Sequence, residues 1–102
     1  MQPEIHNKPI AISYCDLPNS GEAVIDCRSI DEFEVAHIDN AIHIPLQHLS
    51  IRKDTFPCSK GQTFFVYCKT GNRSHTFVTY LRSVGYTNCQ SIAEGFEEWG
   101  DK

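Results

Sequence analysis

The chain has 102 residues, 40% of them hydrophobic, and a formal net charge of −4 at pH 7. This length predicts one globular domain over residues 1–102, because the chain is long enough to bury a core and too short for two cores. The bases of the second half form no stripe interleaved with aromatic side chains, so the composition gives nucleic-acid binding little support and fits a small anionic substrate better than a polymer.

The sequence shows no sign of a membrane segment or of an oxidising compartment. No apolar run approaches membrane-spanning length, and residues 1–6 lack the basic-then-apolar layout of a secretory signal. The cysteines are odd in number and include no Cys-x-x-Cys pair, which argues against a disulfide framework and against a structural zinc site. We therefore expect free thiols, no bound metal and a cytoplasmic location. These cysteines are Cys15, Cys27, Cys58, Cys68 and Cys89.

The first half of the chain predicts three short strands and one short helix. Apolar and β-branched residues favour strands at 10–14, 23–25 and 41–44. A polar cluster follows the second of these strands. In it, Ser29 is placed to N-cap a helix, and Glu32 three residues later completes a capping box.

The second half predicts a polar connection, a strand, a helix, another strand and a terminal helical turn. These elements are expected at residues 52–61, 63–67, 74–84, 88–92 and 95–99. Gly85 is placed to end the longer helix. Strands that alternate with helices favour parallel pairing, so the sequence predicts a layered α/β fold.

Cys68 lies between the end of the predicted 63–67 strand and the start of the following helix. Open α/β sheets bind their ligands at such positions, and the backbone N–H groups of a helix N-terminus favour a thiolate or another anion there. Lys69 and Arg73 supply positive charge, and Gly71 and Asn72 tolerate the left-handed conformation that curls a loop around an anion. The alternative is a buried strand-end cysteine followed by an ordinary Gly-Asn turn.

Three ordered segments together resemble the signatures of rhodanese domains. Residues 24–46, beginning Val-Ile-Asp-Cys-Arg-Ser and ending Ile-Pro-Leu, are similar to the first signature of that family. Residues 67–74, Tyr-Cys-Lys-Thr-Gly-Asn-Arg-Ser, resemble the active-site loop, and residues 94–99, Glu-Gly-Phe-Glu-Glu-Trp, resemble the C-terminal signature. The resemblance implies a single rhodanese-like domain with a mostly parallel five-stranded sheet and helices on both faces.

The resemblance also implies a thiosulfate sulfurtransferase in which Cys68 is the nucleophile. Cys68 would take the outer sulfur of a small anionic donor such as thiosulfate, hold it as a persulfide without any separate cofactor, and pass it to cyanide, a small thiol or a protein thiol. The loop amides and the Arg73 charge would stabilise the anions of this cycle. The substrate-binding residues implied in this way are Lys69, Thr70, Gly71, Asn72, Arg73 and Ser74.

Two other functions remain open at the level of sequence. Related phosphatases and arsenate reductases place five residues between the loop cysteine and arginine, whereas four separate Cys68 from Arg73. The shorter loop favours sulfane sulfur over a tetrahedral phosphate. A non-catalytic rhodanese-like binding module is the third interpretation, and the presence of Cys68 argues against it because such modules often lack the cysteine.

Several other polar residues are expected to have structural roles. Asp26 and Arg28 are predicted to support the site by tying loops together through hydrogen bonds and an ion pair. The histidines at 37, 43 and 48 lie on different predicted elements, so a metal site is not expected. Cys27, Cys58 and Cys89 are candidates to resolve the Cys68 persulfide as a disulfide. Cys89, on a neighbouring strand, is the first of them, although a buried cysteine is more often a small hydrophobic side chain.

Overall fold

The computed structural model describes residues 8–18, 20–49 and 55–100. The predicted features at residues 1–6, and the part of the predicted 52–61 connection before Thr55, lie outside this range. Within it, each of the predicted strands is present, although the first and third are shorter than expected. The strands are β1 (Ala11–Ile12), β2 (Ala23–Asp26), β3 (Ile42–His43), β4 (Phe64–Tyr67) and β5 (Cys89–Ile92).

The five strands form a single sheet in the order β1-β5-β4-β2-β3, and every described pair is parallel. The predicted α/β class and the five-stranded sheet are therefore confirmed. β4 lies at the centre between β5 and β2. Because parallel strands all end at the same edge, the residues that follow β2, β4 and β5 meet there.

Three α-helices connect or cover the strands: α1 (Ile30–Val35), α2 (Asn72–Ser83) and α3 (Phe96–Trp99). The capping box of Ser29 and Glu32 is present at the start of α1, as predicted. α2 begins two residues before the predicted start. Its N-cap is Gly71, whose φ of 97° ends the preceding loop in the left-handed region and lets the helix begin at once. Within the described ranges, no helix is long and apolar enough to cross a membrane.

Side-chain alternation along β4 divides the core between the two faces of the sheet. Phe64 and Val66 face one cluster, which α2 completes with its buried apolar residues. Phe65 and Tyr67 face the other cluster, to which α3 contributes. All four residues of β4 are buried, as expected for a central strand covered on both sides. Helices on both faces of the sheet are thus confirmed.

A buried ion pair joins Asp26, the last residue of β2, to Arg28 in the connection to α1. The Arg28 guanidinium lies 2.8 Å from the Asp26 carboxylate and also donates to the carbonyl oxygen of Ala36 at 2.6 Å. It is centred 4.4 Å from the Phe96 ring, so it also contacts α3. Asp26 has no exposed surface and Arg28 is 5% exposed. The pair therefore links β2, the end of α1 and α3 near one edge of the sheet.

We expect Asp26→Asn to lower the free energy of unfolding by about 3–5 kcal/mol, because it leaves the buried Arg28 charge without its partner. Urea unfolding followed by circular dichroism measures this change. Glu34→Gln, an exposed substitution on α1, is the control and should change stability by less than about 0.5 kcal/mol. Equal small effects of both substitutions would contradict the structural role predicted for the pair.

Candidate active site

The loop of residues 68–71 joins the end of β4 to the start of α2, where the sequence predicts the site. Gly71 is held in the left-handed conformation, and a Cβ atom at this position would overlap the carbonyl oxygen of Ala93. Glycine is therefore required twice over, by its backbone angle and by the close approach of the chain that follows β5. The strand order makes this contact, since β5 is the neighbour of β4.

Backbone N–H groups of the loop point at the Cys68 sulfur. The Gly71 amide donates to Sγ at 3.0 Å and the Ser74 amide donates to it at 3.3 Å. The Ser74 hydroxyl oxygen lies 3.5 Å from the same sulfur. The positive ends of the two amide dipoles point at the Cys68 sulfur, which favours its thiolate form.

The hydroxyl of Ser91 on β5 supports Ser74 from behind. The two hydroxyl oxygens are 2.7 Å apart, and both residues are buried. A hydroxyl has a single proton to donate, and the Gly71 carbonyl oxygen, 3.2 Å from the Ser74 hydroxyl, is a second acceptor for it beside the Cys68 sulfur. Donation from Ser91 to Ser74 leaves that proton available to these two acceptors. Ser91 thus extends the hydrogen-bond network of the sulfur to β5.

A second thiol, that of Cys27, is a side-chain hydrogen-bond partner of Cys68. This hydrogen bond is the largest cause that lowers the pKa of Cys68 to about 4, followed by the Ser74 hydroxyl and amide, while burial acts in the opposite direction. The same contact, with burial, raises the pKa of Cys27. Cys68 therefore carries the negative charge of the pair and Cys27 holds the proton.

The N-terminus of α3 holds the other side of the loop. The Phe96 amide donates to the carbonyl oxygen of Cys68 at 2.8 Å, and the Glu97 amide donates to that of Lys69 at 3.5 Å. Gly95 packs directly on the loop, and a Cβ atom there would overlap the Lys69 carbonyl. The first carbonyl groups of the loop therefore point to α3, whereas the amide of Gly71 points to the sulfur.

Arg73 is paired with Glu32, the N3 residue of α1. The two nitrogens of its guanidinium lie 2.9 and 3.1 Å from the two carboxylate oxygens. This pairing is the largest cause that lowers the pKa of Glu32 to about 2. The sequence predicts Arg73 as the counter-charge for an anionic donor, but in this conformation Glu32 accepts hydrogen bonds from both terminal nitrogens of its guanidinium.

The side chains of the remaining predicted loop residues make no described hydrogen bond to the sulfur, although the Thr70 backbone helps to lower the pKa of Cys68. Lys69, Thr70 and Asn72 are exposed. Lys69 borders a surface depression that also contains Glu32 and Phe96. Of the two hydroxyl groups on the loop, those of Thr70 and Ser74, only that of Ser74 lies within reach of the sulfur in the described contacts.

The Cys68 side chain has no solvent-exposed surface. It belongs to the core cluster on the α2 face of the sheet. A small molecule therefore reaches the sulfur only when the groups around it move.

Comparison with known proteins agrees with this geometry. A family model described as a rhodanese-like domain matches residues 12–102. The chain belongs to the rhodanese-like domain family.

Relatives of this rhodanese-like domain include sulfurtransferases. It is 34% identical over 76 residues to "Adenylyltransferase and sulfurtransferase uba4" of Ogataea parapolymorpha, covering 74% of this chain and 19% of that protein. It is 35% identical over 74 residues to "Thiosulfate sulfurtransferase GlpE" of Tolumonas auensis, covering 72% of this chain and 68% of that protein. The chain thus spans only a small part of the first relative.

A solved structure shows the same fold. The rhodanese-like domain protein from Staphylococcus aureus superposes with a TM-score of 0.78 at 25% sequence identity, over 90% of this chain and 92% of that one. The match extends over nearly the whole rhodanese-like domain.

The predicted supporting residues Asp26 and Arg28 lie beside the site of the rhodanese-like domain without a hydrogen bond to the Cys68 sulfur. Arg28 borders the same depression as Lys69 and Glu32. Two of the histidines considered for a metal, at 37 and 43, stack on the Phe33 ring, with centroids 3.7 and 4.3 Å away. Over residues 8–18, 20–49 and 55–100, no three metal-ligating side chains come together.

Sequence reasoning missed the contacts that Glu32, Ser91 and Gly95 make at this site, and it placed Cys27 behind Cys89 as a partner for Cys68. For Glu32 the sequence predicts only the capping box, which the same carboxylate also forms. One signal was available for Cys27, since it directly follows a predicted strand just as Cys68 does. Gly95 lies in the segment that resembles the C-terminal signature, but the resemblance does not show that it packs on the loop. Ser91 carries no such signal, because its role depends on which strand lies next to β4.

We expect the Cys68 thiolate of this rhodanese-like domain to titrate with a midpoint near 4, far below the value of about 8.5 for an ordinary cysteine. A pH titration of thiolate ultraviolet absorbance, compared with Cys68→Ser, measures it. Since the folded pKa is the lower one, the stabilisation it provides is present above the unfolded value and is lost as pH falls toward 4. A Cys68 midpoint near the ordinary value would contradict this assignment.

Proposed function

We propose that this rhodanese-like domain is a thiosulfate sulfurtransferase that carries a sulfane sulfur on Cys68. The observation that carries the proposal is the convergence of the Gly71 and Ser74 amides on a sulfur whose pKa is lowered. Two relatives, each more than 30% identical over most of this chain, are named as sulfurtransferases, and one of them as a thiosulfate sulfurtransferase. Free thiols at all described cysteines suit a reducing compartment such as the cytoplasm.

The first half of the proposed reaction loads a sulfur atom onto Cys68. The Cys68 thiolate attacks the outer sulfur of thiosulfate, the bond between the two sulfurs of thiosulfate breaks, and sulfite leaves with the bonding electron pair. The negative charge then lies on the outer sulfur of the persulfide. The loop amides are dipoles fixed in place, so they stabilise this charge with little reorganisation.

The second half of the reaction discharges it. A thiophilic acceptor, which we propose to be cyanide, a small thiol or a protein thiol, attacks the outer sulfur and regenerates the Cys68 thiolate. The thiolate leaves readily because the same amides and hydroxyl that lower its pKa also stabilise it as a leaving group. No separate cofactor is needed, since the sulfur is held by the protein itself.

The movement that opens the site also bears on the donor. Glu32 competes with a dianionic donor for the guanidinium of Arg73, since it accepts from two of the five N–H groups. Lys69 is exposed at the edge of the site and, in the described contacts, forms no ion pair. We therefore assign initial attraction of the donor to Lys69 and closer contact to Arg73 after the site opens.

Intact-protein mass spectrometry after incubation with thiosulfate tests the proposal. We expect the protein to gain the mass of one sulfur atom and to lose it when cyanide is added. Cys68→Ser should gain nothing, because its hydroxyl cannot form a persulfide. Cys15→Ser, a change at an exposed cysteine, is the matched control and should behave like the unmodified protein.

The same mass measurement, combined with a phosphatase assay, distinguishes the other two functions. Release of phosphate from an aryl phosphate without any gain of sulfur would favour a phosphatase. Absence of both reactions would favour a non-catalytic binding module.

Lys69→Gln should raise the KM for thiosulfate about two- to fivefold at low ionic strength with little change in kcat, since one exposed charge contributes up to about 1 kcal/mol. The effect should shrink as salt is added, because salt screens exposed charges. Steady-state kinetics at low and high salt measure both results. Lys60→Gln, an exposed charge before β4 at the opposite edge of the sheet, is the control, and an equal KM change there would show that Lys69 has no specific role.

A further inference from the structure

Cys27 occupies the position beside Cys68 on the neighbouring strand. In the parallel pairing of β2 with β4, Asp26 is opposite Tyr67. The pairing continues for one more step, since the Cys27 amide donates to the Tyr67 carbonyl oxygen at 3.1 Å. Cys27 and Cys68 are therefore the next residues of two adjacent chains, just beyond the ends of their strands.

Both cysteine side chains lie on the same face of the sheet. They belong to the core cluster beneath α2, whereas Tyr67 belongs to the cluster on the opposite face. Cys27 is 1% exposed, and a side-chain hydrogen bond joins its thiol to Cys68. The two sulfurs are thus neighbours in a buried environment.

The backbone spacing suits a disulfide between them. Adjacent strands lie about 4.8 Å apart, and the Cα atoms of disulfide-bonded cysteines are usually about 4.4–6.8 Å apart. The cysteines also lie outside the regular strands, in connections that adjust more easily than the ladder itself. A bond between Cys27 and Cys68 therefore requires no large movement of the backbone.

The expectation that Cys89 is the first candidate for this pairing is wrong. Cys89 is opposite Phe64, at the start of β4, which places it four residues from Cys68 along that strand and about 13 Å away at the usual rise per residue. Burial raises the pKa of Cys58, and the nearby Cys89 raises it further, so Cys58 lies near Cys89. Cys15 is exposed. Cys27 is the neighbour because β2, not β3 or β1, lies beside β4 in that direction.

We propose that Cys27 resolves the Cys68 persulfide, releasing hydrosulfide and leaving a disulfide between Cys27 and Cys68. This inference rests on the proposed function, because it begins from the charged cysteine. It adds a second outcome to sulfur transfer: the sulfur leaves as sulfide, and an external dithiol reductant restores the two cysteines.

The electrons and atoms of this step balance within the protein. The Cys27 sulfur bonds to the Cys68 Sγ as the bond from that Sγ to the outer sulfur breaks. The outer sulfur leaves with the bonding electrons and takes the proton of Cys27, so the product is hydrosulfide. The two cysteine sulfurs are oxidised together by two electrons, and the sulfane sulfur is reduced by two. Thiol–disulfide exchange with the dithiol reductant then reopens the bond.

The electrical charge at the site keeps the Cys27 thiol protonated until Cys68 has taken up the sulfur. In the resting protein, the hydrogen bond and the negative charge of Cys68 are among the causes that raise the pKa of Cys27. When a persulfide forms, the charge moves from Sγ to the outer sulfur, and both effects weaken. Cys27 then loses its proton more readily, at the moment when Sγ has become open to attack.

Burial favours this internal attack over the external one. Cys68 has no exposed surface, so an acceptor from solution must wait for the site to open. Cys27 lies beside Cys68 on the same face of the sheet, so its attack loses little entropy, which corresponds to a high effective concentration. In the absence of an acceptor, the persulfide should therefore decay through Cys27.

A single-turnover experiment tests this pathway. The reduced protein is freed of reductant, charged with thiosulfate, and followed over time without thiol or cyanide by intact-protein mass spectrometry and a sulfide assay. We expect the added sulfur to disappear while up to one sulfide per chain is released, and the final mass to fall by two hydrogens below that of the reduced protein. Peptide mapping should locate the new bond between Cys27 and Cys68.

Two substitutions separate reaction from hydrogen bonding. Cys27→Ser keeps a donor to the Cys68 sulfur but cannot form a disulfide, and Cys27→Ala removes both. If Cys27 resolves the persulfide, both variants retain the added sulfur about tenfold longer or more and release no sulfide. If Cys27 only donates a hydrogen bond, Cys27→Ser behaves like the unmodified protein. Cys89→Ser is the matched buried control and should release sulfide normally.

The results that would overturn the inference differ from those that would overturn the proposed function. If all variants gain the sulfur and the unmodified protein retains it as long as Cys27→Ala does, sulfurtransferase chemistry stands and the resolving role is wrong. A disulfide mapped to another cysteine has the same meaning. If no variant gains sulfur, the proposed function fails and the resolving step fails with it.

Discussion

Backbone amides converge on the Cys68 sulfur, and the rest of the site depends on keeping them in that position. Peptide N–H groups turn inward only if the loop curls tightly, and this requires the left-handed conformation at Gly71. The gain is electrostatic, because dipoles fixed around a buried atom stabilise its negative charge more strongly than mobile water dipoles at the surface. A buried thiolate would otherwise be strongly disfavoured by desolvation.

Three elements distant in sequence hold this loop in place. The N-terminus of α3 binds its outward carbonyl groups, β5 places Ser91 behind Ser74, and α1 presents Glu32 to Arg73. Each begins or ends at the same edge of the parallel sheet. The fold therefore supplies a set of short contacts around the loop, each of which depends on strand order.

Pairing the thiolate with a neighbouring protonated thiol gives the site two sulfurs of unequal character. Cys68, surrounded by hydrogen-bond donors, carries the negative charge and is the sulfur that reacts with the anionic donor. Cys27, buried on the same face of the sheet, keeps its proton while that charge persists. The fate of a sulfur held on Cys68 then depends on whether the closed site opens to an acceptor before the neighbouring thiol reacts.

The sequence by itself determined the α/β class, the capping box of α1 and the strand–loop–helix unit around Cys68, because hydrophobic periodicity and glycine placement act over a few neighbouring residues. It misplaced the start of α2 by two residues, since Gly71 serves as both the loop's turn and the helix cap. Only the tertiary structure decided that Cys27, rather than Cys89, lies beside Cys68 and that Glu32 holds Arg73. Those contacts follow from the order β1-β5-β4-β2-β3, which is set by crossover connections and core packing between distant segments and leaves no periodic trace in the chain.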